Sequence, residues 1–356
     1  MINKIEIHKK FWRGEGPSLI LIPPSQKELY DLNNYPRRFH SPQLMWETEY
    51  KRAQAVIGWP TDGIPTVRSN LGVIVVPAMA GQSFHTPEDS MPWPGEPMNP
   101  DQIRAMLHKD LTESEVFRFA ESFYKIHKES GEQQIAAYIP DNQGVFDIAH
   151  LLYGDEIFLD ILNDEEGNWV SELMEISLDL YIRTTKLFKE VLNEKFETMI
   201  HGHGTEQGIF FPQAGTRISE DTAILLSPEI IEQSIIPYII RSVQPFGGGF
   251  LHYCGYHPFL FDQLTALPEI KAIDLGNPEK YNTRRLLERC AETGTVLYSR
   301  IAAEPSESWK EYIKRLGYMV SDSGARVILR PLVFPEMEEE CKEMQDIWHE
   351  LTSINI

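Results

Sequence analysis

A chain of 356 residues, 42% of them hydrophobic, is long enough to bury a sizeable core, and α/β barrels reach this length as one domain. Its formal net charge of −20 excludes the basic face that nucleic acid or an anionic membrane demands, and no apolar run reaches the roughly eighteen residues of a membrane span. Three widely spaced cysteines, Cys254, Cys290 and Cys341, make no disulfide framework. With an N-terminus that lacks the apolar core of a signal peptide, they imply a cytoplasmic protein.

The first sixty or so residues are rich in Pro, Arg, Trp and Tyr and show little periodicity. One helix is expected there, from about Pro42 to Val56, with Ser41 as N-cap and Pro42 at the first helical position. Residues 1–55 read as an extension packed on a main domain of residues 56–356. MPWPGEPMNP (91–100) reads as a proline-rich surface loop. Short apolar runs then predict strands at 72–78, 133–139, 197–203, 222–226, 249–255, 271–276, 295–299 and 325–331. Helical spacing predicts helices over 168–196, 227–243 (Ser227 as cap, Pro228 next), 277–294 (Asn277 to Gly294), 306–317 and 335–351. Alternating strands and helices imply parallel βαβ units, which a doubly wound open sheet would also give. The count of eight strands and a helix closing the chain favour a (β/α)₈ TIM barrel. No glycine-rich phosphate loop follows the early strands.

In such a barrel the chemistry sits at the C-terminal strand ends. Those ends read Pro140-Asp141-Asn142, His201-Gly202-His203-Gly204-Thr205-Glu206-Gln207, His252-Tyr253-Cys254-Gly255-Tyr256, Asp274, Ser299-Arg300 and Arg330. His201 and His203 stand two apart on a strand, as do His252 and Cys254, so each pair shares a face. An imidazole and a thiolate can hold Zn²⁺, with further ligands from His201, His203, Glu206 or Asp274. Each residue also has a plainer reading. Cys254 can be a small buried hydrophobe. The histidines can satisfy strand-end backbone groups. Asp274 can cap the helix near Asn277. Cys290 and Cys341 fall in helical patterns and read as packing or surface residues.

The segment LLSPEIIEQSIIPYIIRSVQPFGGGFLHYCGYHPFLFDQL (225–264) resembles the centre of the uroporphyrinogen decarboxylase superfamily, in which a Ser-Pro helix with an internal proline precedes a strand ending in His-x-Cys-Gly. KAIDLGNPEKY, IPDNQGVFDIAHLLYG and DGIPTVRSNLGVIVVPAMAG extend the likeness from about residue 55 onward. The resemblance implies a TIM barrel and one of two chemistries. One is cofactor-free decarboxylation of uroporphyrinogen, and the other is zinc-dependent methyl transfer from a corrinoid to a thiol. The arginine-rich signature of the decarboxylases is absent: YPRRFHSPQ (35–43) does not match it. The methyltransferases use His-x-Cys and a later cysteine near the last strand. His252 and Cys254 match the first part, but ARVILRPLVF has no cysteine and Arg330 stands near its place.

The resemblance therefore implies His252 and Cys254 as zinc ligands and His203 as a third catalytic residue. His201, Gln207, Tyr256, Asp274 and Arg330 would bind substrate, with Arg330 as the partner of a carboxylate or sulfonate. It also implies a small-molecule substrate, a corrinoid protein as partner and a homodimer. The alternatives are a carboxylic-acid decarboxylase using Arg330 and Asp274, and a barrel that binds without catalysing.

Overall fold

The computed structural model describes residues 2–24, 36–88, 90–163 and 169–353; Tyr35 and Asn168, which begin two of the segments discussed above, lie outside them. The described strands are β1 (Leu19–Ile20), β2 (Ile64–Val67), β3 (Phe84–His85), β4 (Trp93–Pro94), β5 (Ala136–Ala137), β6 (Met199–His201), β7 (Gln207–Phe211), β8 (Thr216–Ser219), β9 (Gly249–Tyr253), β10 (Ile270–Leu275), β11 (Val296–Ser299) and β12 (Val327–Leu329). A six-stranded, all-parallel sheet runs in the order β1-β12-β11-β10-β9-β8. Its long strands are buried nearly throughout, as parallel strands covered on both faces must be.

A second sheet runs β5-β2-β7-β6, with β5 parallel to β2 but β7 antiparallel to both β2 and β6. β3 and β4 form a separate hairpin. The pairing therefore gives a mixed α/β fold with two sheets, and the ladders do not close into the single eight-stranded ring expected from the strand count. Isolated backbone bonds bridge the gaps: Asp62 donates to the Ile20 carbonyl at 2.9 Å, and Gly144 to the Ser219 carbonyl at 2.6 Å. Both sheets face one interior cluster that includes Leu19, Met199, Phe211, Phe250, Val296 and Ile328.

Two predicted strands are helical. GVIVVPA folds as a helix over Val75–Ala80, ended by Gly81 at φ 108°. Its residues are almost all buried, and a short apolar run surrounded by protein carries no period that separates strand from helix. TAILL forms a helical turn over Thr222–Leu225, and the strand lies just upstream at Thr216–Ser219.

The Pro42–Gln54 helix begins as expected, with Ser41 Oγ accepting from Leu44 N at 3.2 Å. Asn277 caps no α-helix; Asn282 caps Thr283–Thr293, which ends at Gly294. The helix expected to stop at Gly317 continues to Ser323. Gly317 instead lets the last helix, Glu338–Thr352, approach, since a Cβ there would stand 2.8 Å from Leu351.

One buried carboxylate joins distant segments. Asp62 accepts from Ile20 N (2.7 Å), Gln345 Nε2 (2.9 Å) and His349 Nε2 (2.9 Å). No helix among the described residues is long and apolar enough to cross a membrane.

Candidate active site

The parallel register sets out the site. Cα partners run Ser219, His252, Asp274, Tyr298, Ile328 and Leu19 across β8, β9, β10, β11, β12 and β1. The row is polar over four adjacent strands and apolar over two. Two residues further along the chain come Asp221, Cys254, Gly276, Arg300 and Arg330.

Asp274 is the centre of the polar row. Its Oδ2 lies 2.9 Å from His252 Nδ1 and 3.0 Å from His203 Nε2. His203 arrives from the other sheet, on the turn between β6 and β7. That turn holds His203 at φ 42° and Gly204 at φ 76°. The left-handed region costs a non-glycine residue about 1–2 kcal/mol. Local bonds hold it: His203 N donates to His201 Nδ1 (2.9 Å), and Thr205 N to the Gly202 carbonyl (3.0 Å). The His203 and His252 rings then pack with centroids 4.4 Å apart.

Because Asp274 engages Nδ1 of His252, the opposite nitrogen faces outward. His252 Nε2 lies 3.3 Å from Cys254 Sγ and 3.6 Å from Asp221 Oδ1. Asp221 Oδ1 also accepts from Cys254 N at 2.6 Å. Asp221 is itself fixed by Asp147, whose carboxylate accepts from Asp221 N (2.9 Å) and Thr222 N (2.8 Å). Gly276 makes room for the thiol, since a Cβ there would lie 2.4 Å from Cys254 Sγ.

The charges follow from this geometry. Burial disfavours a charged His252, but the charge and hydrogen bond of Asp274, with help from Cys254, lift its pKa to about 9. Burial raises Asp274, yet His252, with Arg330 and Arg217, holds the carboxyl below its ordinary value. His201 and His203 move the other way: burial, then the charge of Arg217, push both well below 6.5, so both are neutral at physiological pH. Arg217 pairs with Asp141 and donates to Ser219 Oγ at 2.9 Å; Arg68 lies 3.4 Å from the same Asp141. Against burial, the two guanidiniums draw Asp141 down to about 2. Four buried polar atoms around the row have no hydrogen-bond partner: His203 Nδ1, Asp274 Oδ1, Tyr298 Oη and Ser299 Oγ.

Two trios bring ligand atoms within 4.8 Å of one another: His203, His252 and Asp274; and Asp221, His252 and Cys254. Tetrahedral zinc, with bonds of about 2.0–2.3 Å, sets its donors roughly 3.3–3.8 Å apart. The separations of 3.3 and 3.6 Å around His252 Nε2 fit that spacing. The 2.9 and 3.0 Å contacts of Asp274 are hydrogen-bond distances instead. Cys254 is exposed and the Asp221 side chain is 41% exposed, so the second trio keeps an open side.

Neither a family model nor a curated protein matches the chain. Among solved structures there is a clear likeness. The chain shares its fold with a methyltransferase from Methanosarcina mazei. The match has a TM-score of 0.66 and covers 98% of each chain at 14% sequence identity. At that identity the likeness shows the fold alone.

Of the residues singled out in the sequence, the structure gathers His203, His252, Cys254 and Asp274 into direct contact, with His201 behind His203. Arg330 stands half-buried, 5.7 Å from the centre of the Tyr298 ring. Tyr256 follows Cys254 but turns its half-exposed ring to Tyr281, 5.0 Å away. The Gln207 amide is engaged with Thr61 Oγ1 (2.6 Å) and the Ile22 carbonyl (3.0 Å). Glu206, one of the candidate third ligands, is paired with Arg52 at 2.8 Å. Asp221, its support Asp147 and the spacer Gly276 were not singled out. The signal for Asp221 was its place two residues after TRIS, the strand that TAILL displaced in the sequence reading.

Proposed function

We propose that the chain is a methyltransferase-like enzyme of the uroporphyrinogen decarboxylase type. In this reading its two sheets act together as a barrel, most of it from residues 56–356, to which residues 1–55 add the strand Leu19–Ile20. Its ligands are Asp221, His252 and Cys254, and its substrates are a small-molecule acceptor and a methyl group carried by a partner corrinoid protein. The observation that carries this reading is the Asp221–His252–Cys254 trio, whose two separations from His252 Nε2 suit a tetrahedral metal and which is open on one side. The fold of the Methanosarcina mazei methyltransferase supports it. Asp221 takes the place of the cysteine missing from the last strand.

Zinc, when bound, would hold an acceptor thiol as its thiolate, the better nucleophile at neutral pH. The residues of the chain do the rest. Asp274 fixes the His252 ring and its tautomer, leaving Nε2 to the ligand side. Asp147 holds the backbone that presents Asp221. Neutral His203 offers its unpartnered Nδ1 to a substrate polar group. Arg330 and Arg300 supply positive charge on the neighbouring strand ends for an acidic tail on the acceptor.

The test is metal analysis of protein purified without chelator, together with thiol methylation assayed with a methylated corrinoid. One equivalent of zinc in the wild type, lost in His252→Ala and Asp221→Ala, is the expected result. Zinc at background, with methylation unaffected by His252→Ala, removes the proposal.

A further inference from the structure

A cavity of about 370 Å³ lies at the opposite end of the sheet from His252, where β8, β10 and β11 begin and the Ile2–Trp12 helix ends. That volume is in the range that takes a one- or two-ring organic molecule. One side is apolar: Trp12 packs on Phe211 with ring centroids 5.2 Å apart, and Leu267 and Pro268 are close by. Two cations, Lys271 and Arg326, stand in the lining with the uncharged Gln213, Thr265, Thr293 and Thr295.

The composition of this wall departs from the rest of the molecule. The chain has 53 acidic side chains, yet among the described residues none lines the cavity. Several surface arginines are matched to carboxylates, as Arg104 is to Glu172, Arg241 to Glu175 and Arg315 to Glu307, although Arg300 also bonds to a carbonyl, that of Gly276. Lys271 and Arg326 bond to carbonyls instead. Lys271 Nζ donates to Pro268 O at 2.6 Å, and Arg326 donates to Trp12 O at 2.8 Å and to Gly294 O at 2.9 Å. Carbonyls fix the direction of a cation without neutralising it, so spare donors and positive charge face the cavity. Arg326 is also partly desolvated, and burial draws its pKa below the ordinary value. A desolvated cation without a counter-ion gains most from an anionic ligand.

We infer that this cavity binds a small aromatic carboxylate, its ring against Trp12 and its acid group between Lys271 and Arg326. The interior cluster of Phe211, Phe250, Ala272 and Val296 belongs to the sheets between this cavity and the polar row. The base site is thus separate from the metal trio and stands whether or not that trio holds zinc.

Calorimetric titration of the intact protein with indole-3-acetate, tryptamine and acetate tests the inference. Indole-3-acetate is expected to bind saturably, at least about tenfold more tightly than the aromatic cation or the ringless anion. Lys271→Glu, which removes the bond to Pro268 O, should weaken it by about tenfold or more with an unchanged melting temperature, as should Trp12→Leu if that variant folds. Cys254→Ser, at the far end, should leave it unchanged. Equal binding of tryptamine, no saturable binding in the millimolar range, insensitivity to Lys271→Glu, or loss of binding in Cys254→Ser would each overturn it.

Discussion

The two sheets deliver their functional side chains by different means. The six-stranded sheet uses register: Ser219, His252, Asp274 and Tyr298 face one another because parallel strands align them, and the hydrogen-bonded ladders hold them there. The four-stranded sheet contributes His203 from a left-handed turn, where short-range bonds offset backbone strain. A side chain placed by register is braced by the strands paired with its own, on both flanks for His252, Asp274 and Tyr298. One placed by a turn depends on a few local contacts and on the partner it reaches, here Asp274.

The first way to sharpen this contrast is pH. His252 binds its proton more tightly in the folded protein, at about 9 against 6.5, because of Asp274. That contribution to stability is therefore fully present below pH 6.5 and is lost as pH rises towards 9. It amounts to at most about 3–4 kcal/mol. Denaturant unfolding of metal-free protein should show stability falling over this window, and Asp274→Asn should flatten the slope. An Asp274→Asn profile parallel to the wild type would mean the row is not electrostatically coupled.

A smaller effect is expected from Asp147→Asn. The amide keeps the size of the side chain but replaces one of the two carboxylate oxygens that hold the 221–222 backbone. Zinc affinity, measured by chelator competition, should drop by about tenfold, a usual consequence of disturbing a group behind a metal ligand. The His252-dependent pH profile should stay as it was. Smallest is Gly204→Ala in the turn. At φ 76° it should cost about 1 kcal/mol of stability by thermal unfolding, with zinc affinity within about twofold. A large loss of zinc in Gly204→Ala would show that the turn supports the ligands directly.

Much of the six-stranded sheet was legible in the sequence. The runs forming β9 to β12 are apolar, short and bounded by glycine or turn residues, and His252 and Cys254 emerge at the end of one of them. β8 was not legible, because Arg217 breaks its apolar character. The arginine faces inward and is tolerated there only because Asp141, from a distant loop, neutralises it. The more hydrophobic TAILL next door took its place, and Asp221, a ligand in the proposed metal site, was lost with the register. The HGHG stretch stood out for its residue types, but its hairpin did not, since a strand's direction is set by pairing and leaves no mark in a five-residue run. The expected ring of eight rested on that same count, with two helices entered as strands.

Asp62 has a consequence for the chain as a whole. It clamps the strand at Ile20 to the helix carrying Gln345 and His349, while Ser18 N donates to Thr352 Oγ1 at 3.1 Å and Val327 N to Ser18 Oγ at 3.0 Å. Segments more than three hundred residues apart in sequence are thereby latched by Asp62 and Ser18 together. Fraying of the final helix removes the Gln345, His349 and Thr352 bonds and leaves the edge strand held by its ladder to Val327–Leu329, so proteolytic nicking of the helix is expected before nicking of the strand.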